Sequence, residues 1–217
     1  MHRLCMLALM LVMAAPTRAA TLRGHVTVPP APAADATFKP YAGRASSLPV
    51  PDRPPRGLVT DAVIYVESPA GDAAHAAATP HPKLAQKGQA FEPRVVVVAA
   101  GGTVDFPNLD PIYHNVFSVS PPRRFDLGKY PRGQSRSITF PKTGQVNVFC
   151  DIHSNMAAFI LVVPNTHWVR PGADGSYELA GLAPGHYKLR AWHPDFAAQD
   201  LEVDVPAAGD VALDVSF

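Results

Sequence analysis

Gly144-Gln-Val-Asn-Val-Phe-Cys150-Asp-Ile-His153-Ser-Asn-Met156 is the stretch on which the interpretation of the whole chain depends. Its first half alternates apolar and polar residues, which is typical of a strand with one buried face. The alternation places Val146, Val148 and Cys150 on the same face, and a face that carries two valines is expected to point into a core. Cys150 should therefore be buried at the end of a core strand.

Strands are predicted on both sides of this stretch, and turn signals separate them. The chain has 24 Pro and 15 Gly among 217 residues, scattered too evenly for long helices, because Pro removes a helical donor. Many short strands at such spacing favour an all-β sandwich architecture. The predicted strands span residues 22–28, 62–67, 91–98, 103–106, 112–119, 134–140, 145–150 and 157–163, and further short strands follow residue 174.

The donor atoms of four residues point to a metal site. Cys150, His153 and Met156 lie within seven residues, and His114 precedes them by 36 positions. One thiolate, two imidazoles and one thioether are the ligands of a type 1 (blue) copper site, because sulfur stabilises Cu(I) while imidazole suits both oxidation states. Zinc is the main alternative, since Cys with two His and an open position is also a catalytic zinc set. A thioether adds nothing for zinc, and Asp151 is poorly placed as a general base.

The first residues read as an export signal. Residues 1–19 combine a basic start, an apolar run over Leu4–Ala15 and small residues at the expected cleavage position. This predicts a periplasmic or secreted protein that does not span a membrane, since twelve apolar residues cannot cross a hydrocarbon core of about 30 Å. Cys5 would leave with the signal, so Cys150 would be the one remaining cysteine, without an internal disulfide partner.

The charge balance excludes one class of partner. The chain has 19 Lys and Arg against 18 Asp and Glu, a formal net charge of +1. Nucleic-acid-binding proteins usually show a basic surplus, and no nucleic-acid partner is expected here.

The segment from Phe91 to Val163 resembles the cupredoxins. The residues that carry the resemblance are Gly102-Thr-Val-Asp-Phe-Pro-Asn108, His114-Asn115, Gly144–Cys150 and the loop that ends at Met156. The Cys-x2-His-x2-Met interval is similar to that of the amicyanins, whereas plastocyanins and pseudoazurins have a longer step from His to Met.

This resemblance implies a Greek-key β-sandwich that holds one type 1 copper ion. The ligands that it implies are His114, Cys150, His153 and Met156. It also implies that Asn115 ties the two ligand loops together and forms a hydrogen bond near the thiolate sulfur. Ser154 departs from the pattern, because amicyanin-like loops usually carry Pro after the second His.

The C-terminal part resembles a second family, the carboxypeptidase-regulatory or transthyretin-like sandwiches. The resemblance rests on Asp174–Leu179 and Gly181–Leu189, with Leu22–Val26 and Ala62–Tyr65 similar to that family's opening strands. It implies a second small β-sandwich that draws strands from both ends of the chain. The predicted organisation is a signal peptide over 1–19, N-terminal strands with a Pro-rich loop over 20–67, a cupredoxin domain over 84–164 and a carboxypeptidase-regulatory-like sandwich over 165–217.

The leading functional hypothesis is a one-electron carrier that is not an enzyme. A redox partner protein, such as a dehydrogenase or a cytochrome, would dock near the edge of His153. Copper binding for delivery is one alternative, although Met156 is the only methionine after the signal and delivery sites are often Met-rich. A cell-surface module that binds carbohydrate or protein is another, with Trp168, Tyr177 and Trp192 as a candidate platform. Multicopper catalysis needs several His-x-His pairs, and the sequence contains none.

Overall fold

A computed structural model describes residues 20–30, 56–68, 81–207 and 209–217. Within these ranges the chain forms seventeen strands and one 3-10 helical turn, Val59–Asp61. The predicted all-β sandwich class is confirmed. The predicted signal over 1–19 and most of the predicted Pro-rich loop lie outside the described residues.

Sandwich I, residues 85–163, contains nine strands in the middle of the chain. A five-stranded sheet has the order β5-β11-β10-β7-β8 and faces the β6–β9 pair, beside which lies the β3–β4 hairpin. Strand β5 runs parallel to β11, and the other pairs in the sheet are antiparallel. The strands are β3 Ala85–Lys87, β4 Ala90–Glu92, β5 Val95–Ala99, β6 Thr103–Pro107, β7 His114–Ser118, β8 Phe125–Tyr130, β9 Ser135–Thr139, β10 Gly144–Phe149 and β11 Ala157–Val163.

Sandwich II takes its strands from both sides of sandwich I in the sequence. One sheet has the order β13-β1-β16, with β17 also paired to β1, and the other has the order β12-β2-β14-β15. Thus β1 is antiparallel to β13, and β2 is antiparallel to β14. The strands are β1 Ala20–Thr27, β2 Val63–Ser68, β12 Trp168–Val169, β13 Ser176–Leu182, β14 Gly185–His193, β15 Phe196–Val205, β16 Asp210–Ala212 and β17 Val215–Ser216.

The two sandwiches stack face to face, which produces four β-layers. In β5, Val96 and Val98 point into the core of sandwich I, while Val95 and Val97 point towards sandwich II. A strand buried on both faces reads as a continuous apolar run, as this one does. The cluster between the sandwiches contains Val63, Tyr65 and Trp192 from sandwich II and Val95, Val97, Leu161 and Val163 from sandwich I.

A group of buried charges lies at the edge of this interface. Arg94, between β4 and β5, donates to Asp61 at 2.6 Å and to both carboxylate oxygens of Asp195 at 2.6 and 2.9 Å. Burial alone would raise the pKa of Asp195, but the hydrogen bonds from Arg94 and other donors outweigh it and hold that pKa well below its usual range. The bonds join the start of β5 in sandwich I to the turn before β15 in sandwich II.

The strand predictions need correction in two respects. The strand predicted over 91–98 is wrong as a single element: β4 ends at Glu92 and β5 begins at Val95, and they pair with strands of different sheets. Pro93 interrupts the run because it has no backbone donor. The strands β3, β8 and β12 were not predicted. β8 escaped because most of its side chains are only partly buried and Gly128, at a φ of 63°, breaks its alternation.

Candidate metal centre

Three of the four predicted ligands meet at one end of sandwich I. The donor atoms of His114, Cys150 and His153 all lie within 4.8 Å of one another. The two Nδ1 atoms are 3.1 Å apart, and the Cys150 Sγ lies 3.9 Å from Nδ1 of His153. Each imidazole therefore presents Nδ1 to the other ring, and His153 presents the same atom to the thiol.

The sheet produces this convergence. His114 is the first residue of β7, and Cys150 directly follows β10. The two strands are antiparallel neighbours, with Phe149 opposite Phe117, so the end of one lies beside the start of the other. The alternation along β10 buries Val146, Val148 and Cys150 on one face, as predicted.

Met156 stands at the other end of the short connection between β10 and β11. Its N–H donates to the carbonyl oxygen of His153 at 3.0 Å, which closes the turn that follows the second histidine. Its side chain is buried in the core cluster that also contains Cys150. The assignment of all four residues as ligands remains a prediction.

The environment of His153 disfavours the protonated form of its imidazole. Burial, together with the neighbouring His114 imidazole, holds the pKa of His153 below its ordinary value, although Asp110 acts weakly in the opposite direction. A neutral imidazole has a free lone pair for a metal, so this shift favours metal binding at neutral pH. His114 is fully buried, whereas His153 is partly exposed.

Asn115 links the two ligand-bearing segments. Its Oδ1 accepts from the backbone N–H of Asp151 at 3.3 Å, and its Nδ2 donates to Asp126 at 2.7 Å. The first contact joins β7 to the loop after Cys150. The hydrogen bond near the thiolate sulfur that the family resemblance implies remains a prediction.

Sequence reasoning missed Asp110. Its carboxylate accepts a hydrogen bond from His114 Nε2 at 2.7 Å, on the side of the ring away from His153. Burial alone would raise the pKa of Asp110, but hydrogen bonds from Gln89, His114 and Gly88 lower it on balance. The one sequence signal that could have identified Asp110 is its position four residues before a candidate ligand histidine.

The three donor atoms suit one metal ion. Metal–nitrogen bonds of about 2.0–2.1 Å and metal–sulfur bonds of about 2.3 Å keep any two ligands of an ion within roughly 4.5 Å of each other. The separations of 3.1 Å between the two Nδ1 atoms and 3.9 Å between Sγ and Nδ1 of His153 fall inside that limit, and the third pair, His114 and Cys150, lies within 4.8 Å. Among the described residues, no carboxylate joins this cluster, so its donors are imidazole nitrogen and sulfur. Such a set suits copper or zinc and does not suit magnesium or calcium.

Comparisons with known proteins bear on part of the chain. No protein-family model and no curated protein sequence matches it. A solved Cu(I) structure of an amicyanin variant is 25% identical, with a TM-score of 0.37, over 47% of this chain and 98% of the amicyanin. A purple cupredoxin from Nitrosopumilus maritimus is 17% identical, with a TM-score of 0.34, over 37% of this chain and 98% of that protein.

An enzyme also appears among these structures. A copper-containing nitrite reductase from Thermus scotoductus SA-01 is 29% identical, with a TM-score of 0.36, over 38% of this chain. The chain spans only 22% of that reductase.

The described part of the chain has no helix with the length and apolar character that a membrane span requires.

Proposed function

We propose that this protein is a periplasmic type 1 copper protein that carries single electrons between redox partners. The observation that supports it best is the convergence of His114, Cys150 and His153 at one sheet end, with Met156 buried in the core cluster that also contains Cys150. These four residues would hold one copper ion, which when bound supplies reversible uptake and release of one electron. The periplasmic location rests on the signal predicted over residues 1–19.

The protein's contribution is to hold its ligands still. His114, Cys150 and Met156 are buried, and the sulfur ligands belong to the packed core of sandwich I. Side chains in such a core have little room to move. Ligand positions would then change little between oxidation states, which suits electron transfer and requires no bond chemistry on a substrate.

The exposed surface near His153 suits a docking partner. Apolar side chains are exposed in both loops that carry the histidines: Leu109, Ile112 and Tyr113 before His114, and Ile152 before His153. Tyr113 is the most exposed of them, at 58%. Exposed apolar residues grouped around a site often mark a protein interaction surface. A dehydrogenase or a cytochrome that docks here would reach the copper through the edge of His153.

The alternatives have less support. Tyr177 and Trp192 are buried, the first in the core of sandwich II and the second between the sandwiches, so two of the three aromatics considered for carbohydrate binding are unavailable. Hydrolytic zinc chemistry needs a general base at the metal. Asp110 is hydrogen-bonded to His114, and the exposed carboxylate of Asp151 lies 3.8 Å from Lys129 Nζ. Neither carboxylate is therefore well placed to act as a general base at the metal.

A redox cycle distinguishes electron transfer from copper delivery. The copper-loaded full chain would be reduced with ascorbate and reoxidised with ferricyanide, while its visible absorption and EPR signal are recorded, with a Cu(I) chelator present in a parallel sample. We expect a reversible one-electron cycle and slow loss of copper to the chelator. Rapid transfer of Cu(I) to the chelator would favour delivery. His153→Ala removes a predicted ligand and should abolish the reversible cycle, whereas the matched control His186→Ala alters an exposed histidine of sandwich II and should retain it.

A further inference from the structure

The carboxylate of Asp110 is buried and accepts hydrogen bonds from three donors, which together fix its position. Its side chain is 9% exposed and accepts from the backbone N–H groups of Gly88 at 2.6 Å and Gln89 at 2.8 Å, besides His114 Nε2 at 2.7 Å. Its own N–H donates to Asn108 Oδ1 at 2.9 Å. Three hydrogen bonds to the carboxylate at these distances leave it little freedom to turn, and the fourth holds the backbone of the same residue.

The two backbone donors come from the tip of the β3–β4 hairpin. Gly88 and Gln89 both have positive φ, 64° and 57°, which is the combination of a type I′ turn. Such a conformation is unfavourable for a residue other than glycine, yet Gln89 adopts it. The turn thereby directs two successive N–H groups at one carboxylate. The side chain of Asn155, next to Met156, also reaches the carbonyl oxygen of Gln89, at 3.4 Å.

The loop that carries Asp110 is fixed independently. Asn108 is fully buried, and its Nδ2 donates to the carbonyl oxygens of Ile112 and Tyr130, each at 2.9 Å. The backbone N–H of Leu109 donates to the backbone carbonyl oxygen of Gln86 in β3 at 2.9 Å. The carboxylate of Asp110 is therefore held at a set position before it meets the imidazole.

The contact with His114 determines which ring nitrogen carries the proton. An ionised carboxylate accepts only, so Nε2 of His114 must be the donor. In the neutral ring, Nδ1 then has the free lone pair, and Nδ1 is the atom that lies 3.1 Å from Nδ1 of His153. An ordinary buried His–Asp pair would not need its second nitrogen to face another imidazole in a cluster that also contains a thiol.

We propose that Asp110, held by the tip of the β3–β4 hairpin, is a positioning residue that fixes the tautomer and orientation of His114 for metal binding. The proposal rests on the proposed function for the identity of the metal, but its geometric part applies to the metal-free chain. Outer carboxylates of this kind orient ligand histidines and raise their basicity. The added negative charge also favours Cu(II) over Cu(I).

The first test uses the metal-free full chain. Nitrogen-15 NMR of the wild type should show His114 as one neutral tautomer with the proton on Nε2. A proton on Nδ1 of His114 in the wild type would overturn the proposal, whatever metal the protein binds and whether or not a variant folds.

The second test compares Asp110→Asn with Asp105→Asn. Asp105 lies in β6 of the same sandwich and pairs with His81 Nδ1 at 3.0 Å, and neither residue belongs to the metal cluster. We expect D110N to give mixed tautomers at His114, roughly 10- to 100-fold weaker Cu(I) binding by chelator competition, and a higher reduction potential, while D105N changes none of these. A wild-type tautomer and an affinity within about twofold in D110N would overturn the proposal. Failure of the wild type to bind Cu(I) would count against the proposed function alone.

Discussion

Replacing Asp195 with Asn should destabilise the junction between the sandwiches. The Asp195 side chain is 1% exposed and accepts from Arg94, from the backbone N–H of Gly57 and from Arg56 Nε at 3.1 Å. Asn has nearly the same shape but no charge, and its amide group places donors opposite donors. Arg94 would retain Asp61 as its one remaining carboxylate partner.

The size of the effect follows from these contacts. Breaking a buried ion pair costs about 3–5 kcal/mol when the remaining charge lacks a partner. Because Asp61 still pairs with Arg94, we expect the lower limit, about 3 kcal/mol. For a chain of this size, each kcal/mol shifts the melting temperature by about 2–4 °C, which gives a loss of roughly 6–12 °C. The control D204N alters a carboxylate that is 89% exposed and should cost at most about 1 kcal/mol.

The assay is a set of thermal melts by circular dichroism at several pH values. The folded-state pKa of Asp195 lies below its unfolded value, so its stabilising contribution is complete above the ordinary carboxyl pKa of about 3.9 and is lost as the pH falls towards the folded value. The difference between wild type and D195N should therefore be largest near neutral pH and shrink below about pH 4. Equal melting temperatures of D195N and wild type at pH 7 would refute this reasoning, as would a difference that does not change with pH.

Four further outcomes are expected. Cys150→Ser should abolish any intense visible absorption of the copper-loaded protein, because a hydroxyl is a poor donor that stays protonated; a retained band in the absorption spectrum would exclude Cys150 as a ligand. Met156→Leu should retain copper and raise the reduction potential, because a weak axial donor to Cu(II) is lost, and an unchanged midpoint in voltammetry would contradict this. The fragment 84–164 should bind copper but be marginally stable without it, because four interface side chains, worth about 1.5–3 kcal/mol each, become exposed. The fragment 165–217 should not fold alone without β1 and β2, and a cooperative melt by circular dichroism would disprove that.

The sequence predicted those features that depend on local pattern. The alternation from Gln145 to Cys150 placed the cysteine at the buried end of a strand, where the structure has it. Pro and Gly spacing predicted an all-β chain. Local reasoning failed at Pro93, where one apolar run is divided between two sheets, and at β8, whose partial burial leaves a weak pattern.

Other features depend on contacts between distant residues. Asp61, Arg94 and Asp195 are isolated charges in the sequence, and only the stacking of the sandwiches brings them together. Asp110 is close to His114 in sequence, but the turn that holds it is contributed by Gly88 and Gln89, some twenty residues earlier. No periodicity or spacing encodes such contacts, because they follow from the relative placement of sheets and loops.

The most direct test of the account is the absorption spectrum of the purified full chain after addition of one equivalent of Cu(II). The account predicts an intense blue colour from charge transfer between the Cys150 thiolate and copper, with one copper bound per chain. It also predicts that the colour disappears on reduction with ascorbate and returns on oxidation. A colourless protein that binds zinc in preference to copper would contradict the account.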